Sequence, residues 1–132
     1  MALINTWFFT KTVIDWEIIA KATHNQFRVA SVRPYVDKKG LLPDGYTLTL
    51  TVLQDDFDYG VDKSGVPREN NVYQNFDVTV LTRKHDVKKG DIVRLLDFVP
   101  DHSFAINFDM ILRFKNLEII QKPAAQAVKP NA

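Results

Sequence analysis

The side chains able to do acid–base, metal or nucleophilic chemistry are few and badly spaced for it. His24, His85 and His102 lie far apart, with no His-x-His or His-x-x-x-His pairing, and the chain has no cysteine. A thiol nucleophile, a Cys-ligated zinc, an iron–sulfur cluster and a disulfide scaffold are therefore excluded. No Gly-x-Ser-x-Gly, Gly-x-x-x-x-Gly-Lys or Gly-x-Gly-x-x-Gly run is present to build a nucleophile elbow or a phosphate cradle. Asp55 and Asp56 are neighbours at a strand end, which turns them to opposite sides instead of into a carboxylate pair. Counted from Asp58, Glu69 takes the twelfth place of a calcium loop, yet Gly60 replaces a ligand and Lys63 the turn glycine. Such a loop also needs flanking helices, and none is expected here. Catalytic residues, metal and cofactor are all expected to be absent, and the chain reads as non-enzymatic.

What the chain does offer is rings interleaved with cations. Arg33 and Tyr35 close the first strand, Phe57 and Tyr59 share a long loop with Lys63 and Arg68, Tyr73 opens the third strand, and Arg113 and Lys115 point outward from the last. Rings and cations in one trough are the two handles for single-stranded nucleic acid. Bases stack at ~1–3 kcal/mol each, and cations neutralise phosphates without reading sequence. A single strand-edge tyrosine more commonly packs against its neighbours with its hydroxyl in water. Joint placement on one sheet and its loops is what points to binding. No residue is assignable to a 2′-hydroxyl contact, so RNA stays open beside DNA.

These side chains must be held by strands. Tyr46, Leu48, Leu50 and Val52 alternate with three threonines, and Phe76, Val78 and Val80 alternate with Asn75, Asp77 and Thr79. A third alternation runs from Phe104 to Phe114, after which Leu117 and Ile119 take over the apolar parity. That one-residue change predicts a β-bulge near Lys115–Asn116. Phe27 and Val29 against Val32 and Val36 predict a bend near Ala30–Ser31. Ile92–Val99 follows Gly90-Asp91, and Pro100-Asp101 predicts its turn into a hairpin with Phe104–Ile120. Five strands with no convincing helix predict an all-β fold, a small closed or partly closed barrel over residues 23–121. Closure would also remove the sheet edges that an open apolar sheet exposes.

Residues 1–22 form an N-terminal extension rich in Leu3, Ile4, Trp7, Phe8, Phe9, Val13, Ile14, Trp16, Ile18 and Ile19, with no decisive period. One reading packs it across the open end of the barrel. The other makes it an arm that self-associates through Trp7, Phe8, Phe9 and Trp16, since exposed apolar area of this size normally finds a partner. Residues 122–132 lack periodicity and are expected to be a flexible tail. The full length of 132 residues suits one domain, and 45% hydrophobic with 25% charged residues is ordinary for a globular chain. No apolar run approaches the ~18 residues of a membrane helix, and the first apolar cluster has no basic segment before it. A cytoplasmic, unprocessed protein off the membrane is expected. Net charge is only +1, yet Lys21–Leu50 holds five bases against two acids and Arg83–Lys89 four against one. Patches of this kind suffice for a polyanion.

The bent strand Phe27–Val36, the entry Lys88-Lys-Gly-Asp-Ile-Val93 and the closing strand Leu112-Arg-Phe-Lys-Asn-Leu-Glu-Ile-Ile120 together resemble the OB-fold single-stranded DNA-binding proteins of phages and conjugative plasmids. The resemblance covers about residues 27–120. It implies a strand-coating role without sequence preference, on a surface comprising Tyr46, Phe57, Tyr59, Arg68 and Tyr73 with Arg33 and Tyr35. The acidic, phenylalanine-ended tip by which bacterial members recruit partners is missing, so only coating is implied. The rival expectation is a β-barrel protein–protein interaction module of a phage or mobile element that binds no nucleic acid.

Overall fold

Alternating apolar and polar residues build the strands of this chain, which join in one sheet. The computed structural model describes residues 2–10, 12–82, 86–106 and 109–123, apart from the side chains of Trp7 and Ile106. A short 3₁₀ turn at Thr6–Phe9 precedes helix α1 (Trp16–Thr23). Strands β1 (Phe27–Tyr35), β2 (Gly45–Val52), β3 (Asn75–Val80), β4 (Ile92–Phe98), β5 (Phe104–Ile106) and β6 (Asp109–Gln121) follow, with a second 3₁₀ turn at Pro100–His102 between β4 and β5. The fold is mostly β, with the sheet order β3-β2-β1-β4-β6-β5. In addition β3 pairs in parallel with β6 through Val78↔Leu112, Thr79↔Arg113 and Val80↔Phe114. The pairings β1–β2–β3–β6–β4 therefore return to β1 in a closed circuit. No helix among the described residues is long and apolar enough to cross a membrane.

The inward parity of each strand fills this circuit. Phe27, Val29, Leu48, Leu50, Val78, Val80, Val93, Leu95, Leu112, Phe114 and Leu117 are buried together. Gly45 lets β2 run against β3, because a Cβ there would meet the Val80 carbonyl oxygen at 1.9 Å. The expected bend in β1 is a register shift between Val29 and Ser31. The expected bulge at Lys115–Asn116 is absent, because β4 changes parity with β6. Leu95 faces Leu117 and Phe98 faces Phe114, so inward residues lie three apart on both strands and the register stays constant from Val93 to Phe98; it shifts instead between Ile92 and Val93. Asp97, at φ 58°, takes up the kink. The expected strand Phe104–Ile120 is instead the hairpin β5–β6, with Ile106 opposite Asp109. Its connection at residues 107–108 lies outside the described residues, as do His85 and residues 124–132 of the expected tail.

The join between β1 and β4 is the thinnest part of the circuit. Only Phe27↔Val93 and Arg28↔Ile92 pair in register. On one side Val29 N–H donates to the Asp91 carbonyl and Gly90 N–H to the Val29 carbonyl, both at 2.8 Å. On the other, the Asn25 side chain stands in for a peptide group, donating to the Leu95 carbonyl at 2.9 Å and accepting from Leu95 N–H at 3.0 Å.

Helix α1 was not expected, and its cause is local. Asp15 accepts from Ile18 N–H as N-cap, and His24 ends the helix in the left-handed region at φ 60°. Trp16 and Thr23 are its buried positions. The Trp16 ring meets Phe114 edge-on at 4.7 Å and lies 6.1 Å from Phe27 and 6.2 Å from Phe98.

Candidate nucleic-acid interface

The outward parity of β1, β2, β3 and β6 is polar and aligned in cross-strand rows. One row reads Arg33, Thr47, Thr79, Arg113 and the next Ser31, Thr49, Asp77. Arg33 donates from Nη1 to Ser31 Oγ at 2.7 Å and to Thr49 Oγ1 at 3.1 Å, and its Nη2 lies 3.6 Å from Asp77 Oδ2. Thr49 in turn donates to Asp77 Oδ1 at 2.7 Å, and Thr51 to Asn75 Oδ1 at 2.7 Å. At the far end Arg113 Nη1 donates to the His102 carbonyl at 2.6 Å, while its buried Nε has no partner among the described residues. Two guanidinium groups thus bracket a run of threonines.

The β1–β2 loop borders this face and hangs on one carboxylate. Asp37 accepts from the backbone N–H groups of Leu41 at 2.8 Å, Leu42 at 2.9 Å and Lys39 at 3.4 Å. Desolvation pushes the Asp37 carboxyl up; those N–H groups and the field of Arg113 outweigh it and leave it below the ordinary range. The loop so held presents Lys38 and Lys39 to solvent.

The loop between β2 and β3 is wired to itself. The Tyr59 hydroxyl donates to Asp55 Oδ2 at 2.7 Å, Asn71 N–H donates to the same oxygen at 2.8 Å, and Phe57 N–H to Oδ1 at 3.1 Å. Desolvation raises the Asp55 carboxyl, but these bonds prevail and lower it. Burial first, then the bond to Asp55, raises the Tyr59 hydroxyl. Arg68 Nη1 donates to the Tyr59 carbonyl at 2.8 Å, and the Phe57 and Tyr59 rings meet edge-on at 4.8 Å. Asp56 anchors the loop to α1, its N–H donating to the Ala22 carbonyl at 2.9 Å and its Oδ2 lying 2.5 Å from His24 Nε2. Between this loop, α1, β3 and β6 opens a cleft of about 330 Å³, lined by Ile18, Ile19, Phe57, Tyr59, Phe76 and Met110 among others.

The expected site residues therefore divide. Arg33 and Arg113 share one row; Phe57, Tyr59 and Arg68 share the loop, with the two rings in the wall of the cleft. Tyr35 ends β1 half-buried, opposite Gly45. Tyr73 is 77% exposed at the entry to β3, with φ 67°. Tyr46 is a correction: its even parity sends it inward with Leu48, and it packs against the core. Trp16 is another, because at 8% exposure it is a core ring and not a subunit contact. Phe8 and Phe9 are exposed, and the Trp7 side chain lies outside the described residues. The reading from sequence missed Thr47 and Thr49, although the threonine alternation in β2 marked that face; Thr79 of the same row is buried. It also missed Met110, which a continuous strand placed in the core.

No group of three or more metal-ligating side chains occurs among the described residues. Comparison with protein-family models, with curated proteins and with solved structures gave no match.

Proposed function

We propose that the chain is an OB-fold-type barrel that binds single-stranded nucleic acid, DNA in the first instance, without sequence preference. The observation that carries this reading is the closed pairing circuit β1–β2–β3–β6–β4, sealed by the parallel β3–β6 pair. It curls one polar, arginine-bracketed face outward, a shape suited to an extended strand. In this reading Arg33 and Arg113, with Lys38 and Lys39 of the adjoining loop, neutralise phosphates, and Tyr73 supplies an exposed ring for stacking. Tyr46 has no part in it, and Arg68 belongs to the acidic β2–β3 loop instead of to the polar face. The rival reading, a protein-interaction module, draws on the exposed residues near the N-terminus.

Fluorescence anisotropy with a labelled oligo-dT of ~30 nucleotides separates the two, because binding should weaken steeply with salt. Arg33→Ala is expected to lower affinity and to reduce the slope of log K against log salt by ~1. No binding at low salt, or a slope unchanged in Arg33→Ala, rejects the interface.

A further inference from the structure

Two apolar surfaces are left uncovered in the single chain, and they suit each other. The first is the arm: Leu3 is 78%, Ile4 80% and Phe9 77% exposed. The second is the cleft beside α1, whose open side carries the exposed residues Ile18, Phe57 and Met110. Uncovered apolar area of this extent is the mark of an interaction site.

Charge narrows what can fill the cleft. Residues 55–71, which form one wall, contain five acids and two bases. Asp55 lines the cleft, and its hydrogen bonds keep it ionised at neutral pH. A phosphate backbone laid along this wall would be repelled. Residues 2–10 contain no charged side chain, so an apolar segment of this kind enters without like-charge cost. In the single chain Leu3, Ile4 and Phe9 of the arm stay exposed, and none of the three lines the cleft. The arm leaves the helix at the Asp15 end, whereas the cleft runs along α1 from Ile18 and Ile19 to Ala22 and Thr23.

We propose that the Leu3–Phe9 arm of one copy seats in the α1 and β2–β3-loop cleft of a second copy. Each copy supplies one arm and one cleft, so reciprocal exchange closes a two-fold dimer. The assembly surface then meets the polar face at Asn75, which lines the cleft and accepts from Thr51, while Arg33 and Arg113 are not among the cleft residues.

Sedimentation velocity on the full chain is expected to show twice the chain mass. Deleting residues 2–10, or placing a carboxylate in the cleft with Ile18→Glu, is expected to return monomer mass with an unchanged circular dichroism spectrum. Because the chain has no cysteine, Phe9→Cys and Phe57→Cys can be made singly and mixed. A disulfide-linked heterodimer of the two variants supports the exchange. A full chain that sediments as a monomer overturns it, and so does a cleft variant that dimerises as well as the parent. A Phe9→Cys/Phe57→Cys chain that closes only within itself also overturns it, by placing the arm in its own cleft. Oligo-dT binding by the arm-deleted chain is read separately, so failure of the dimer and failure of nucleic-acid binding are distinguishable.

Discussion

Two successive stretches of similar apolar content, Leu3–Val13 and Trp16–Thr23, have opposite fates. In the first, Leu3, Ile4, Phe9 and Val13 face solvent, and among the described residues the only regular element is a 3₁₀ turn whose N-cap position, Asn5, makes no side-chain cap. In the second, Asp15 caps a helix whose Trp16, Ala20 and Thr23 fall three or four apart and turn toward the core or its margin. Apolar content alone does not bury a segment. A cap and a period that collect the apolar groups on one side do.

That contrast can be broken most forcefully at Trp16. Trp16→Ala removes the ring packed against Phe27, Phe98 and Phe114 and is expected to cost ~3–5 kcal/mol in chemical denaturation. A cost below ~1 kcal/mol would put α1 in the same class as the arm.

Asp55→Ala comes next, because it unties the loop that anchors the far end of α1 through Asp56. A loss of ~1–2 kcal/mol is expected after discounting for solvent exposure. Since the folded-state carboxyl lies below its unfolded value, this stabilisation is complete above about pH 4. It is lost as pH falls through the folded pKa. The parent should therefore shed stability in that acid window faster than Asp55→Ala, and parallel pH profiles would contradict the assignment.

Asp15→Ala tests the cap itself. The bond to Ile18 N–H is long at 3.4 Å and exposed, so the lower end of capping values applies, ~0.5–1 kcal/mol by thermal melting. Deleting residues 2–10 sets the floor of the series. In dilute solution the chain should unfold within ~0.5 kcal/mol of the parent, as for surface changes away from packed groups.

Much of the fold was readable because strand period is a strong signal. β2 and β3 lie where alternation put them, and the β1 irregularity falls between Val29 and Ser31 as the change of parity required. The parity change near Lys115–Asn116 was visible, but its cause was not. It depends on Asp97 bending the neighbouring strand, which no local pattern in β6 reveals. The break between β5 and β6 was hidden because Phe104–Phe114 reads as one unbroken alternation. At the candidate site, residue type alone could not tell which polar groups were already engaged. Tyr59 and Arg68 carry the right chemistry, yet the loop uses the hydroxyl of one and an Nη of the other for its own hydrogen bonds. Tyr46 misled for the opposite reason, since its parity already pointed inward.

The amide of Asn25 gives the ring of strands a clasp made from a removable part. Leu95 is latched to a side chain that can rotate away without moving the backbone. Deuterium should reach the Leu95 amide sooner than that of Val93. Asn25→Asp, by setting an oxygen against the Leu95 carbonyl, would leave the clasp open and make this the first point at which the molecule comes apart.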